Sequence, residues 1–518
     1  MTTTPTPPLA ADLISGGRAL AAADFDACVL RAASGFAALG LKRGDCVALL
    51  LRNDFAYLEA SLAAVRIGAY AVPINWHCKA DEVGYVLADC GAKVLVAHAD
   101  LLAGVAGTVP ACVKVLTVAT PPEIGAAYSL TPQACRVPAD AADWEDWVAM
   151  QGLWQGLPLP QTSSMIYTSG TTGRPKGVRR EPLTPDLEAR MADYRERVYG
   201  LRPGACTMVP GPLYHSAPNA FALRAARVAG RIVLMPRFDP EVFLAQVQEH
   251  RVQALFMVPT MFVRLLKLPA EVRRRYDLSS LQFVMHAAAP CPVEVKRAMI
   301  DWLGPVVHEF YGSTESGAVT VADSREWLER PGTVGRALTG GEVRIYDDAG
   351  RRLGAGETGE VYTRLEFLPD FTYHGLAEKR ADIEREGFIT SGDVGWLDAH
   401  GYLFLCDRKR DMVISGGVNI YPAEIEAVLI GCPGVKDCAV FGVPDGEFGE
   451  ALMAVVEPQP GVPAPSAAEV RRYLAQHLAD YKVPKLIELR SDLPREDSGK
   501  IFKRRLRDPY WEGMGRAI

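Results

Sequence analysis

The sequence predicts an α/β protein: a large N-terminal part of sheets covered by helices, a β-rich subdomain, and a smaller α+β unit at the C-terminal end. Three observations predict it. Helix and strand patterns alternate through the first hundred residues, short strands with turn groups appear around residues 340–363, and a fresh set of patterns begins near Arg410. Regular alternation implies a largely parallel sheet covered by helices, because each parallel connection needs a crossover. With 518 residues the chain is too long for one core and suits roughly two to four folding units.

Each element has its own signal. Phe25, Val29, Ala32, Phe36 and Leu39 recur at helical spacing, and the pattern stops at Gly40. Residues 46–51 form an unbroken apolar run, as a buried strand requires. Residues 54–67 and 81–90 read as helices, and 71–75 and 93–97 as strands. Residues 101–160 are poorer in pattern and richer in Ala, Pro and Thr, and are expected to be surface connections. Strand patterns return at 230–235 and 254–258. Around 340–363, Asp348-Ala349-Gly350 and Gly354-Ala355-Gly356 separate short strands. The last unit has helix and strand patterns of its own, including residues 423–430, 438–443 and 468–478. The expected boundary divides 1–409 from 410–518, and no internal repeat is visible.

Composition narrows the class. Apolar residues make up 49% and charged residues 23%, an ordinary globular balance. A net charge of −6 gives no reason to expect nucleic acid or an anionic membrane as partner. The run Lys503, Arg504, Arg505 and Arg507 is the exception, read as a solvated face with a role beside phosphates as the alternative. Eleven scattered cysteines without a CxxC pair suit reduced thiols in a cytoplasmic enzyme. Residues 1–8 lack the basic and apolar regions of a signal peptide, and no apolar run approaches the ~18 residues of a membrane span. A soluble cytoplasmic protein without stable membrane insertion is expected.

The most informative stretch runs from Tyr167 to Val178. Thr168, Ser169, Thr171 and Thr172 supply hydroxyls, Gly170, Gly173 and Gly177 let backbone amides approach an anion, and Lys176 adds a positive charge. Lys176 is followed by Gly177 and not by Ser or Thr, so this is not a Walker loop. Alone, such a cluster would read as a surface turn. It does not stand alone: Pro212-Leu213-Tyr214-His215, Tyr311-Gly312-Ser313-Thr314-Glu315, Ser391-Gly392-Asp393, Asp407-Arg408-Lys409-Arg410-Asp411-Met412 and Ser498-Gly499-Lys500 follow in order.

This ordered set resembles the adenylate-forming (ANL) superfamily, which includes acyl-CoA synthetases, adenylation domains of peptide synthetases and luciferase-type enzymes. The resemblance covers essentially the whole chain, and the later segments look like fatty-acid or bile-acid-type CoA ligases. It implies ATP, Mg²⁺ and coenzyme A as cofactors and a small, mobile C-terminal domain. It implies that the 168–176 loop cradles phosphates and that Glu315 holds Mg²⁺, a hard cation that takes carboxylate and phosphate oxygens. Tyr311 would lie against the adenine, Gly312 among the cofactor-binding residues, Thr314 on phosphate, and Ala288 in a loop, residues 286–290, beside adenine and substrate. Asp393 would accept both ribose hydroxyls, with Arg408 reaching the ribose from the other side. Lys500 would bring the positive charge that lets a carboxylate approach the α-phosphate. His215 would gate the passage between acyl pocket and thiol tunnel, and Gly417 would keep that tunnel open.

The resemblance further implies an acid:CoA ligase working through an acyl-AMP, the small domain rotating between two half-reactions about a hinge at Arg410. The family commonly has Asp or Lys at the hinge, Thr or Asn at the position of Glu496, and Gly at that of Ala287, so three departures are present. No carrier segment with a phosphopantetheine serine follows before Ile518; a stand-alone enzyme loading a separate carrier protein is the alternative. A non-catalytic relative would lack Lys500, Glu315 or Lys176, and all three are here. The substrate expected is a hydrophobic carboxylic acid, whether fatty, aromatic or steroid, in a pocket near Phe256, Met257, Ser216 and His286. The oligomeric state is left open, a homodimer being one option.

Overall fold

The computed structural model describes residues 8–157, 159–168, 174–409, 411–415, 418–495 and 501–512. The first alternating segment folds as read. Strands Cys46–Leu50, Tyr70–Pro73, Ala92–His98 and Lys114–Val118 make a four-stranded parallel sheet. Helix Phe55–Arg66 packs on it, and helix Ala22–Ala38 packs on Phe55–Arg66 in turn. Phe25, Val29, Ala32 and Phe36, the periodic set, are all buried.

Residues 101–160 are more than surface connections. They contribute the strand Lys114–Val118 and the helix Trp144–Ala149, whose Trp144 is 1% exposed and donates from Nε1 to Glu59 at 3.0 Å. The helix has six residues, too few for a period to show.

A second, 14-stranded sheet carries the site. Its first half is parallel: Asp12–Ser15, Arg231–Leu234, Cys206–Val209, Ala254–Met257, Phe283–His286 and Val307–Ser313 lie side by side. Its second half, from Gly317–Ala322 through Thr333–Ala337, Tyr402–Arg408 and Phe388–Leu397 to Gly359–Leu365 and Gly341–Tyr346, is antiparallel. The β-rich texture near 340–363 therefore belongs to the same sheet as the α/β part. The change of direction happens at Val307–Ser313, parallel to one neighbour and antiparallel to the other.

From Val413 onward a separate five-stranded sheet forms, built around the long hairpin Val435–Asp445 and Gly449–Pro458. Helices Pro422–Leu429 and Ala467–His477 cover it, burying Ile425, Leu429, Val470 and Leu474. Ser466 and Glu469 form a capping box that starts the second helix. The C-terminal basic run is internally paired: Lys503 with Glu426 at 2.8 Å, Arg504 with Asp508 at 3.0 Å and Arg507 with Asp411 at 3.7 Å. Among the described residues, no helix is long and apolar enough to cross a membrane.

Candidate active site

The glycine-rich segment lies between the two strands of a hairpin. Ile166–Thr168 pairs antiparallel with Lys176–Arg180, placing Thr168 opposite Lys176. Ser169, Gly170, Thr171, Thr172 and Gly173 lie outside the described residues. A third strand, Phe371–Tyr373, closes this small sheet and sets the Tyr373 ring 5.1 Å from Lys176 Nζ. Nothing in the sequence pointed to Tyr373, a residue brought in by strand pairing across the fold.

Facing the hairpin is the turn that ends Val307–Ser313. The strand is bulged between Tyr311 and Gly312. A Cβ on Gly312 would stand 1.8 Å from the carbonyl oxygen of Gly317, so only glycine permits this approach. Ser313 Oγ accepts from the amides of Glu315 at 3.2 Å and Ser316 at 3.0 Å, which folds the turn tightly. The turn aims Glu315 at the hairpin. Its Oε1 accepts from Thr168 Oγ1 at 3.3 Å and from Tyr373 Oη at 3.1 Å, and Thr314 Oγ1 donates to Ser216 Oγ at 3.1 Å.

The next pair of strands supplies a second cluster. Asp393 and Arg408 are cross-strand partners, with Arg408 Nε 3.3 Å from Asp393 Oδ1. Tyr311 Oη donates to Asp393 Oδ2 at 2.7 Å, and burial together with that carboxylate raises the phenol's pKa well above its ordinary value. Glu315, Thr314, Thr168, Lys176, Tyr311, Asp393 and Arg408, scattered over the sequence, thus gather around the end of one strand.

His215 sits at the N-cap position of the helix Ser216–Val228, its ring 4.3 Å from that of Tyr214. The loop before it is held by two residues that carry no signal in the sequence. Asn53 Nδ2 donates to the carbonyls of Gly211 at 2.9 Å and Met235 at 3.0 Å, and Tyr57 Oη donates to that of Leu213 at 2.6 Å. Ala288 adopts φ +76°, a left-handed conformation rarely held by a residue with a Cβ.

The expected pocket residues divide between two faces of the sheet. Phe256 and Ala287 join the cluster that includes Phe221 and Ala222 of the helix Ser216–Val228, and Phe310 packs against it, 6.0 Å from Phe256. Met257 turns instead into the cluster of Met261, Phe262 and Leu265, and His286 stands edge-on to Phe262 at 5.1 Å. His286 is buried beside Glu309, its cross-strand partner, with the nearest ring nitrogen 3.6 Å from Oε2. Lys296, 0% exposed, reaches the same oxygen at 2.5 Å. Burial, then Lys296, pulls the His286 pKa well below its ordinary value.

Lys500, Gly417, Arg410 and Glu496 lie outside the described residues. Arg495 and Ile501, on either side of the Lys500 segment, form an antiparallel bridge. Among the described residues, no three His, Cys, Asp or Glu side chains stand together as a metal cage. One carboxylate beside hydroxyls and a phosphate-binding hairpin is the donor set that suits Mg²⁺, which keeps water and phosphate oxygens as its other ligands.

Comparison with known proteins agrees with this geometry. Residues 4–368 match the family described as AMP-binding enzyme, and residues 424–500 match the AMP-binding enzyme C-terminal domain. The chain therefore belongs to the AMP-binding enzyme family, the adenylate-forming superfamily, and is an AMP-forming ligase of the acyl-CoA synthetase type. It is 35% identical over 504 residues to a feruloyl-CoA synthase of Amycolatopsis sp, covering 95% of this chain and 94% of that one. It is 32% identical over 510 residues to the long-chain-fatty-acid–CoA ligase FadD13 of Mycobacterium tuberculosis, covering 94% and 92%. Its fold matches the anthranilate CoA ligase AuaEII in complex with anthranoyl-AMP, with a TM-score of 0.83, 26% identity, and 96% and 94% of the two chains covered.

Proposed function

We propose that the protein ligates a hydrophobic carboxylic acid, an aryl acid by preference, to coenzyme A in the cytoplasm. Carboxylate and ATP give acyl-AMP and pyrophosphate; acyl-AMP and CoA then give acyl-CoA and AMP. The observation that carries this reading is the convergence of Glu315, Thr168 and Lys176 at the turn that ends the Tyr311 strand, and of Asp393 and Arg408 at the Tyr311 hydroxyl. Two distinct polar clusters, one at the hydroxyl of an aromatic residue and one at the turn that follows it, are what a nucleoside with a phosphate chain demands.

The roles follow from the chemistry of each group. Lys176, Thr168 and the loop 169–173 take the phosphates, and Thr314 adds a hydroxyl. Glu315 supplies the carboxylate for Mg²⁺, which when bound draws negative charge from the phosphate oxygens. Tyr311 and Gly312 line the adenine with the 286–290 loop and Ala288, and Asp393 and Arg408 hold the ribose. Lys500 delivers the charge for attack on the α-phosphate. His215 stands between the acyl and thiol sides, and Gly417 leaves the pantetheine path clear. We place the domain boundary at 409/410, with the ATP and acyl site before it and the catalytic lysine and CoA face after it.

Two aromatic rings, Phe256 and Phe310, stand 6.0 Å apart in the cluster that includes Phe221 and Ala222 of the helix Ser216–Val228, the face we assign to the acid. Flat rings there stack on an aryl acid, and the relatives named for feruloyl and anthranilate substrates support that class. The test is AMP release from ATP with aryl, fatty and steroid acids, each with and without CoA. Release requiring both an aryl acid and CoA is expected. Acid-dependent pyrophosphate release indifferent to CoA would transfer the protein to carrier-loading enzymes, and preference for a fatty or steroid acid would overturn the aryl assignment.

A further inference from the structure

Arg180 stands four residues beyond Lys176 on the same strand, Lys176–Arg180, and points behind the Glu315 turn. Its guanidinium donates from Nη2 to the carbonyls of Thr314 at 2.7 Å and Glu315 at 2.5 Å, and from Nη1 to that of Pro369 at 2.8 Å. Every bond its side chain makes goes to main-chain oxygen; among the described residues it pairs with no carboxylate. A guanidinium costs much to enclose, and burial pulls this one down to about 10, still charged near neutral pH. Its own backbone is fixed as well: Phe371 is its cross-strand partner, and Tyr70 Oη donates to its carbonyl at 2.8 Å.

We propose that Arg180 is a positioning residue for the cation–phosphate site. The turn's amides are taken up from one side by Ser313 and Ser316 and its carbonyls from the other by Arg180. One rigid strand thereby sets both the phosphate lysine and the backbone that aims the Glu315 carboxylate and the Thr314 hydroxyl. The planar fork of arginine is well matched to this role, since its donors reach several carbonyls from a fixed plane, whereas a lysine ammonium acts as a point charge. Without it, three enclosed carbonyls lose their donors and the turn is free to swing Glu315 from Thr168 and Tyr373.

The inference rests on reading Glu315 as the cation's carboxylate, so the test separates the two. Binding of Mn²⁺ together with the α,β-methylene analogue of ATP is measured by electron paramagnetic resonance on the whole chain, for wild type, Arg180→Met, Arg180→Lys and Glu315→Gln. Outer-shell partners of metal ligands are worth about 10–100-fold in affinity, so Arg180→Met should weaken Mn²⁺ binding by about that factor. Arg180→Lys, keeping charge but reaching fewer carbonyls, should fall between Arg180→Met and wild type. Thiolation of supplied acyl-AMP, which requires no metal, should change less than adenylation in both variants. A folded Arg180→Met with wild-type Mn²⁺ affinity overturns the proposal while Glu315→Gln still weakens binding. Wild-type affinity in Glu315→Gln overturns the reading of Glu315 and this inference with it. Should Arg180→Met fail to fold, Arg180→Lys decides: unchanged Mn²⁺ affinity there rejects the role.

Discussion

Replacing Lys296 by methionine, a side chain of similar reach without the charge, is expected to destabilise the N-terminal part by about 3–5 kcal/mol. The magnitude follows from what Lys296 leaves behind. Its side chain is 0% exposed, that of Glu309 is 6%, and the ammonium lies 2.5 Å from Oε2. Among the described residues no other cation replaces it, since the His286 beside Glu309 is held neutral by burial. Burial already raises the Glu309 carboxyl above its ordinary value, with Lys296 opposing. Removing the opposing charge raises it further. A carboxyl with a folded pKa above its unfolded value, about 4.3, loses stability as pH climbs from the unfolded pKa to the folded one, at up to about 1.4 kcal/mol per unit. The loss in Lys296→Met should therefore be smaller near pH 5 than near pH 8, and the double variant Lys296→Met/Glu309→Leu should recover most of it. Urea unfolding followed by tryptophan fluorescence suits the question, because the Trp327 ring lies 5.0 Å from Lys296 Nζ. An unchanged midpoint, or a pH-independent loss that the double variant does not relieve, would refute the reasoning.

Other variants probe other links. Lys500→Ala should abolish acyl-adenylate formation while thiolation of supplied acyl-AMP survives, and Gly417→Leu should show the reverse; equal loss of both steps in either variant counts against two separate active faces. Burial pushes Glu59 up to about 7, against the donated bond from Trp144. Wild type should thus lose stability between its unfolded pKa of about 4.3 and about 7, by up to about 4 kcal/mol, and Glu59→Gln should lack that slope; matching urea midpoints across pH 5 to 8 would contradict it. Gly312→Ala puts a methyl 1.8 Å from the Gly317 carbonyl and should raise the Michaelis constant for ATP at least tenfold, by roughly 1.4 kcal/mol or more; normal ATP kinetics would show that the bulge adapts.

The fold is legible wherever a segment is long enough to show its period. The helices at Ala22–Ala38 and Phe55–Arg66 and the strands Cys46–Leu50 and Tyr70–Pro73 follow directly from apolar spacing. The motif residues are legible because each is chemically conspicuous in its own short stretch. Arg180, Tyr373, Asn53 and Tyr57 are not, since what they do depends on partners 58 to 189 residues away. The facing of Met257 and His286 differs from expectation for another reason. Parallel strands covered on both sides are apolar throughout, so alternation does not say which face a residue takes.

The reversal of strand direction at Ser313–Ser316 has a consequence for protein engineering. On the proposed reading, the acid-facing rings Phe256 and Phe310 come from strands preceding the turn, and the ribose pair Asp393 and Arg408 from strands following it. The turn is thus a seam between a part that carries the acid-facing rings together with the phosphate hairpin and a part that carries the ribose pair. Chimeras spliced there would exchange the carboxylic acid accepted together with the phosphate hairpin while keeping the ribose pair, provided the donor also brings an arginine, or its equivalent, to clasp the splice from behind.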